Sequence, residues 1–342
     1  MRPNRTFSSQ SFVIPVFCLA FAGATEGLAE THRVIGESYY HTFSKSHPVL
    51  ARVKPGDRIV TKIVDSAGFD FQGIRRTKTH GNPLTGAFFI EGAEPGDTLI
   101  VRLDRVRLNR DKGYTSYQAG VSNLPAELAS EKPRPDAVYK GYDYLRPWDI
   151  DLGKNLVRLR EPKSGKVRLE FAAMPMLGCI GVAPEGDYSP RSGPAGYWGG
   201  NLDYNLIREG NTVMLPVFHP GALLFFGDGH ALQGDGEAIG SGVETSLDVE
   251  VTVDLRKGGR LTIPRAETPE WIVSIGAKEK GELRETLELA TTDMIRWLVT
   301  SYGLEPWAAH ALVGVQAKYD LASFAGTFAL RIPKQNLPKP IR

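Results

Sequence analysis

The amino-acid sequence predicts an α+β protein that is mainly β, with a β-sandwich or barrel-like core and a C-terminal helical segment packed on it. Three observations carry that prediction. The 37 glycines and 23 prolines among 342 residues are spread along the chain, which suits many short strands joined by tight turns. A Pro-Gly turn precedes an apolar run at three separate places. Helical periodicity is found mainly near the end of the chain.

Residues 1–29 read as a secretory leader, not as fold. Arg2 and Arg5 give a positive start, residues 12–24 form a mostly apolar stretch, and Gly27-Leu28-Ala29 offers small residues before a cleavage point. Such a stretch is shorter than the roughly 20 residues that span a bilayer. The expected mature chain is one composite domain, residues 30–342, secreted or periplasmic and free of the membrane after cleavage. Losing Arg2, Arg5 and Glu26 turns the formal net charge of +2 into +1. A surface so near neutral gives no electrostatic case for nucleic acid as a partner. Cys179 is then the only cysteine, so no internal disulfide forms and stability rests on the apolar core. Its setting, Met176-Leu177-Gly178-Cys179-Ile180, is that of a buried small hydrophobe.

Lys54-Pro55-Gly56-Asp57 leads into an apolar run at 58–64, and Glu94-Pro95-Gly96-Asp97 into another at 98–103. His219-Pro220-Gly221 leads into a third at 222–226. Proline followed by glycine marks a type II turn, whose third residue needs φ > 0. Strict alternation from Ser246 to Leu255 predicts a strand with one dry and one wet face. Residues 104–165 are less regular and read as long loops. Leu283, Leu287, Ala290, Met294 and Leu298 make one apolar helical stripe closed by Gly303, and Pro306 starts a second helix over 307–318.

The chemistry concentrates in Gly227-Asp228-Gly229-His230-Ala231-Leu232-Gln233-Gly234-Asp235-Gly236-Glu237. Directly after an apolar run stand three carboxylates, an imidazole, an amide and four glycines. On an extended chain, residues i and i+2 share a side, so Asp228 pairs with His230 and Asp235 with Glu237. Buried charge is costly unless paired or bound to metal, so this segment reads as a site.

The chain resembles the acetamidase/formamidase family of metal-dependent amide hydrolases. The resemblance is carried by Asn82-Pro83-Leu84-Thr85-Gly86, Ile90 to Asp97 (IEGAEPGD), Gly178 to Pro184 (GCIGVAP), and Gly199-Gly200-Asn201-Leu202-Asp203. It continues with Leu215-Pro216-Val217 and the segment from Gly227 to Glu237, with Glu244 seven residues on. Ala87, Cys179 and Leu202 depart from the family pattern. The resemblance implies hydrolysis of a small linear amide, a divalent metal, a homo-oligomer and a histidine near the start of the fold. His41 is the candidate for that histidine and for contact with substrate, its alternative being a surface strand residue.

One histidine with two or more carboxylates suits Zn²⁺ or a similar ion with an open position for water. Asp228 and His230 are the first ligands. Asp65, after the run at 59–64, is either a further ligand or an Asx-turn residue. Glu237, Glu244 and Glu91 compete to deliver a proton to the leaving amine, with Asp235 beside them. Gln233 is the candidate oxyanion donor, and Asn201 with Gly200 is placed against the substrate carbonyl. A serine triad lacks its G-x-S-x-G elbow, and Cys179 lacks a partnered base. Two alternatives stay open: a cyclic amide as substrate, and a non-catalytic Ca²⁺-binding carbohydrate-recognition module. Imidazole has little use in a Ca²⁺ site, which argues against the second.

Overall fold

The computed structural model describes residues 29–116, 145–160 and 168–341, so the expected leader lies outside it save for Ala29. Two sheets face each other. The larger has nine strands, in the order Thr31–Arg33, Arg58–Ile63, Leu247–Arg256, Thr98–Leu108, Thr212–Pro216, Arg265–Glu267, Trp271–Ala277, Thr327–Pro333 and Lys318–Ser323. The second has six, in the order Ala195–Gly196, Gly199–Asn201, Met176–Val182, Leu224–His230, Leu84–Ile90 and Ala51–Val53. One apolar cluster joins them: Leu99, Val101, Val249, Val251 and Val253 from the first meet Phe88, Ile180, Leu224 and Phe226 from the second. The expected mainly-β sandwich is the observed fold.

The local reasons match the sequence pattern. In Leu247–Arg256 the valines are buried while Asp248, Glu250 and Thr252 are half-buried and Asp254 is exposed, as one dry face requires. All three Pro-Gly turns close with an i to i+3 hydrogen bond, and Gly56, Gly96 and Gly221 have φ of 91°, 89° and 79°. The aspartates that follow the first two turns are buried. Asp57 accepts from the Lys54 and Glu30 backbone N–H groups; Asp97 accepts from Glu94 N–H, Gly258 N–H and Lys257 Nζ.

The described residues between 104 and 160 are more regular than the sequence suggested, while 117–144 and 161–165 of the expected loops lie outside the described residues. Thr98–Leu108 runs on as one long strand. Lys112–Ser116, Leu145–Asp151, Leu156–Leu159 and Glu170–Ala172 form a small third sheet. Tyr114 of that sheet bridges Glu244, which in turn bridges His230, so the third sheet is tied to one end of the six-stranded sheet.

Two helices, α1 (Leu283–Tyr302) and α2 (Pro306–Gln316), cover the outer face of the nine-stranded sheet's far half. Ile272, Leu330 and Ile332 point out to meet Ala290, Met294, Trp297 and Leu298 of α1 and Ala309 and Val313 of α2. Gly303 ends α1 in the left-handed region, φ 69°, as expected. The buried face is rotated from the expected stripe. Leu283 is exposed, whereas Thr286 and Asp293 are buried. The cause is close approach at Gly276, where a Cβ would collide with the Thr286 carbonyl. No described helix is long and apolar enough to cross a membrane.

Asp293 anchors α1. Its carboxylate accepts from Arg265 Nε at 2.7 Å, Arg265 Nη2 at 2.9 Å and Ser274 Oγ at 2.7 Å, and the guanidinium lies over the Trp297 ring. Removing one partner of a buried ion pair leaves the other uncompensated. Asp293→Ala is therefore expected to cost about 3–5 kcal/mol in chemical denaturation. A loss below about 1 kcal/mol would mean that this pair does not hold α1 to the sheet.

Candidate metal centre and its cleft

The chemistry-bearing segment begins inside a strand and leaves it after His230, ending in the short 3-10 turn Asp235–Glu237. Leu224–His230 is that strand, buried at every residue. It pairs antiparallel with Met176–Val182, Leu177 opposite Gly229 and Cys179 opposite Gly227. Between those pairs the chain deforms, and Asp228 has φ 57°. Gly178 lies beside it. A Cβ on Gly178 would stand 2.6 Å from Asp228 Oδ2 and 2.8 Å from Asp203 Oδ1. The missing side chain makes the hollow into which two carboxylates turn.

His230 stands at the centre. Its Nε2 lies 3.5 Å from Asp228 Oδ1 and 3.4 Å from Glu244 Oε1. Ligand atoms of Asp228, His230 and Glu244 all lie within 4.8 Å of one another, and so do those of Asp203, His230 and Glu237. Four atoms here, Asp203 Oδ1, Asp228 Oδ1, Glu244 Oε2 and His230 Nε2, are buried without a hydrogen-bond partner. Orphaned buried polar atoms are rare, and those of Asp228, His230 and Glu244 lie close enough together to form the donor set of a cation. The residues present fit a divalent metal.

The surroundings fix the donors. Gln233 Nε2 donates to the Asp203 and Ala322 carbonyl oxygens, at 2.5 and 3.5 Å. Those oxygens only accept, so the amide orientation is set and Oε1 accepts from His230 Nδ1–H at 2.8 Å. In the neutral ring Nε2 therefore carries the lone pair, the tautomer a metal ligand needs. Asn82 Nδ2 donates to Asp228 Oδ2 at 3.0 Å and to Asn201 Oδ1 at 2.8 Å; Asn201 Nδ2 donates to Asp203 Oδ2 at 2.5 Å. Each carboxylate thus keeps one oxygen tethered and turns the other to the centre.

The centre forms one wall of a cleft of about 290 Å³, also lined by Ser66, His80, Asn82, Tyr114, Ser116 and Ser241. Tyr114 is buried, its hydroxyl 3.1 Å from Ser66 Oγ and accepting Ala67 N–H. Burial, with the charges of Asp65 and Glu244, pushes its pKa well up. Burial and the neighbouring Asp228 push the Glu244 carboxyl up to about 8. Burial also raises Glu237, and burial together with the Glu237 and Asp228 charges raises Asp203 well above the usual range. Burial alone would lower His230, but Glu244 and Asp228 carry its pKa well above the ordinary value.

Several expected site residues stand elsewhere. Asp65 is not a ligand. Its Oδ1 accepts Ala67 N–H and Phe69 N–H, and its Oδ2 pairs with Arg110 Nη2 at 2.7 Å, which makes it an Asx-turn residue in a buried ion pair. Gln233 is no oxyanion donor, because its amide is fully engaged in holding His230. Asp235 is exposed and accepts from Asn205, since Gly236 at φ 77° breaks the extended run and turns Asp235 and Glu237 apart. Glu91 follows the far end of Leu84–Ile90, roughly 20 Å along the strand from Leu84 beside the centre. His41 contacts Gly81 O and Thr79 Oγ1, outside the cluster. Gly200 is a strand residue whose φ of 99° serves pairing with Met176–Val182, whereas Asn201 does stand at the site, lining the cleft with its amide positioning Asp203.

Asp228, His230, Glu237 and Glu244 do come together. Sequence reasoning missed Asp203, Asn82 and Tyr114. Asp203 was legible in principle, since it follows two glycines in Gly199-Gly200-Asn201-Leu202-Asp203 just as Asp228 sits among glycines. Cys179 is buried as expected but abuts the polar cluster, with Sγ 2.8 Å from Asn201 Oδ1. Burial and the Asp228 and Asp203 charges push its thiol well up, which removes it as a nucleophile.

Residues 186–318, which include Asp203, His230, Glu237 and Glu244, match the Acetamidase/Formamidase family model. A predicted acetamidase/formamidase from Thermoanaerobacter tengcongensis superposes with a TM-score of 0.75 at 28% identity, covering 90% of this chain and 96% of that one. The chain is similar to the acetamidase/formamidase family over these residues and in its overall fold. An acetamidase of Mycolicibacterium smegmatis is 27% identical over 293 residues, 67% of this chain and 71% of that protein. A putative formamidase of Schizosaccharomyces pombe is 26% identical over 234 residues, 57% of this chain. The chain thus matches only 56% of the length of that yeast relative.

The shared upward direction of these pKa values has a consequence for stability. Asp203, Glu237, Glu244 and His230 hold protons in the folded chain that the unfolded chain releases above about 3.8 to 6.5. The folded state binds more protons, so the stability of metal-free protein falls as pH rises from about 4 towards 8. Thermal melts across that range should show a decline of several degrees, flattened by added Zn²⁺. Melting that is level in pH without metal would contradict the buried, unneutralised cluster.

Proposed function

We propose that this chain hydrolyses a small linear amide to a carboxylate and ammonia at the His230 centre. The observation that carries the reading is the cluster of buried, unpartnered donor atoms of Asp228, His230 and Glu244 beside a cleft, in a chain similar to this family. Asp228, His230 and Glu244 would hold a divalent cation, Zn²⁺ by the mixture of imidazole and carboxylate donors. When bound, such an ion lowers the pKa of water towards neutrality and polarises a carbonyl.

The remaining residues have separable tasks. Gln233 holds the imidazole, and Asn82 and Asn201 hold the carboxylates, so the donors do not reorganise during reaction. Glu237 lines the cleft beside Asp203, its Oε1 accepting Gly242 N–H at 3.2 Å. Two buried carboxylates side by side keep a proton between them, because both cannot ionise cheaply. Glu237 is the member open to the cleft, and we assign it the proton transfer to the leaving nitrogen. Tyr114, Ser66 and Ser241 offer hydroxyls on the wall that meets the substrate.

Ammonia release from formamide and acetamide, beside metal analysis of the same protein, tests this. His230→Ala should lose both metal and turnover. Glu237→Gln should keep the metal and lose about 10²–10⁴-fold in kcat. Gln233→Ala should weaken metal affinity by about 10–100-fold, as loss of a partner that orients a ligand does. Undiminished ammonia release after chelation, or in His230→Ala, would sink the reading. Turnover of a lactam without any of the linear amides would move the substrate to the cyclic class.

A further inference from the structure

A cavity of about 830 Å³ opens between α1 and residues 188–198, and it shares no lining residue with the His230 cleft. That volume lies within the usual range for a bound small molecule. Its wall is apolar and aromatic, with Tyr188, Tyr197, Trp198, Ile263, Ala277 and Leu289 lining it. Tyr188 and Tyr197 each meet Trp198 edge-on, with ring centroids 5.7 and 5.2 Å away, so the aromatic side is preformed.

The charged residues of the lining are divided between its two ends. Within α1, Glu285 precedes Arg296 by eleven residues, which sets them on one helix face about 16 Å apart along the axis. At the acidic end Lys278 Nζ pairs with Glu285 at 2.7 Å, and Arg284 Nε pairs with Glu288 at 3.1 Å. Glu279, held at that end by its neighbour Lys278, accepts only from the neutral Tyr188 hydroxyl. Among the described residues no cation pairs with Glu279 and no carboxylate pairs with Arg296. The cavity therefore carries one unmatched negative charge at one end, one unmatched positive charge at the other, and apolar surface between.

We infer that this cavity binds a short peptide of apolar residues with both termini free, its ammonium at Glu279 and its carboxylate at Arg296. Three or four extended residues span about 10–13 Å, which with the reach of the two charged side chains covers the distance. The termini supply opposite unit charges, and apolar side chains would displace water from Tyr197, Ile263 and Leu289. A backbone edge is also open to such a chain. Ala195–Gly196 ends the six-stranded sheet, Gly196 lines the cavity, and no described strand pairs with that outer edge. An extended peptide can add to it through its amides, which an ω-amino acid of the same charges lacks. The inference does not rest on the chemistry proposed for His230.

Titration calorimetry of the full chain with the tripeptide Leu-Phe-Leu tests it. Binding should be measurable at millimolar peptide or below, and N-acetylation or C-amidation should each weaken it by about 10-fold, as loss of one charged contact does. Variants separate the two ends. Arg296→Gln should lose the preference for a free carboxylate over an amide and keep the preference for a free amine, and Glu279→Gln should do the reverse. Neither side chain is buried, so circular dichroism should be unchanged. His230→Ala should bind the peptide as the native chain does, which keeps this site apart from the cleft. No binding at several millimolar peptide, or a doubly blocked peptide that binds as tightly as the free one, would overturn the inference. So would end preferences that neither Arg296→Gln nor Glu279→Gln alters, or binding that only His230→Ala abolishes.

Discussion

The rest of this structure is arranged around one electrostatic constraint. Five acidic or basic side chains, Asp203, Asp228, His230, Glu237 and Glu244, are buried together with partner atoms left unused. Four potential negative charges face one imidazole. Left alone, such a group can be tolerated only by taking up protons, and that is the direction in which burial and mutual repulsion push Asp203, Glu237 and Glu244. Held as anions, it requires a multivalent cation. A chain that selected only for stability would replace the cluster with apolar side chains, because well-packed apolar residues commonly match or exceed buried ionic groups in stability.

The sandwich supplies rigidity to the cluster. Asp228 and His230 sit at the end of a central strand of the six-stranded sheet, where Met176–Val182 pairs alongside and Glu244 bridges His230, so their backbone cannot drift without breaking those contacts. Glycine at 178 and at 242 then leaves the volume that the functional side chains occupy. A Cβ on Gly242 would stand 2.8 Å from His230 Nδ1. Regular pairing sets the position and missing side chains set the space. The third sheet closes the arrangement by bringing Tyr114 onto Glu244.

Much of this was legible in the sequence, for reasons that can be named. The period-two run at 246–255 and the three Pro-Gly turns are local signals, and local geometry answered them. Asp228 and His230 were legible because glycines and charge stood where a core strand should continue. Asp65 stayed open between two readings because an aspartate after a strand satisfies a turn and a ligand site equally well by sequence. Arg110, forty-five residues away, decides between them. Gln233 was given the right neighbourhood and the wrong task, since whether an amide faces substrate or imidazole depends on the Asp203 and Ala322 carbonyls. Asp235 and Glu237 failed as a pair because positive φ at Gly236 replaced the extended chain on which the i, i+2 rule depends. Long-range partners are what a sequence read one segment at a time does not display.

The charge balance of the cleft bears on what it can admit. Asp228, Glu237 and Glu244 line it, and among the described residues neither lysine nor arginine does. With a divalent ion in place and one proton kept between Asp203 and Glu237, the cluster carries four acidic groups against two positive charges and that proton. The result is about one net negative charge when His230 is a neutral ligand. A substrate bearing its own carboxylate would meet that residual charge without a compensating cation on the wall, and would lose more hydration than it regained in contacts. A neutral amide avoids the conflict, since its carbonyl oxygen presents only partial charge until attack begins. The developing oxyanion is then the first point in the reaction at which full negative charge would enter the site, and it would arise where positive charge is concentrated. Stabilisation that grows only as the barrier is climbed accelerates turnover instead of merely tightening binding. By this reasoning the acidic lining of the cleft would discriminate against anions in the ground state and would leave a bound cation to act on the transition state.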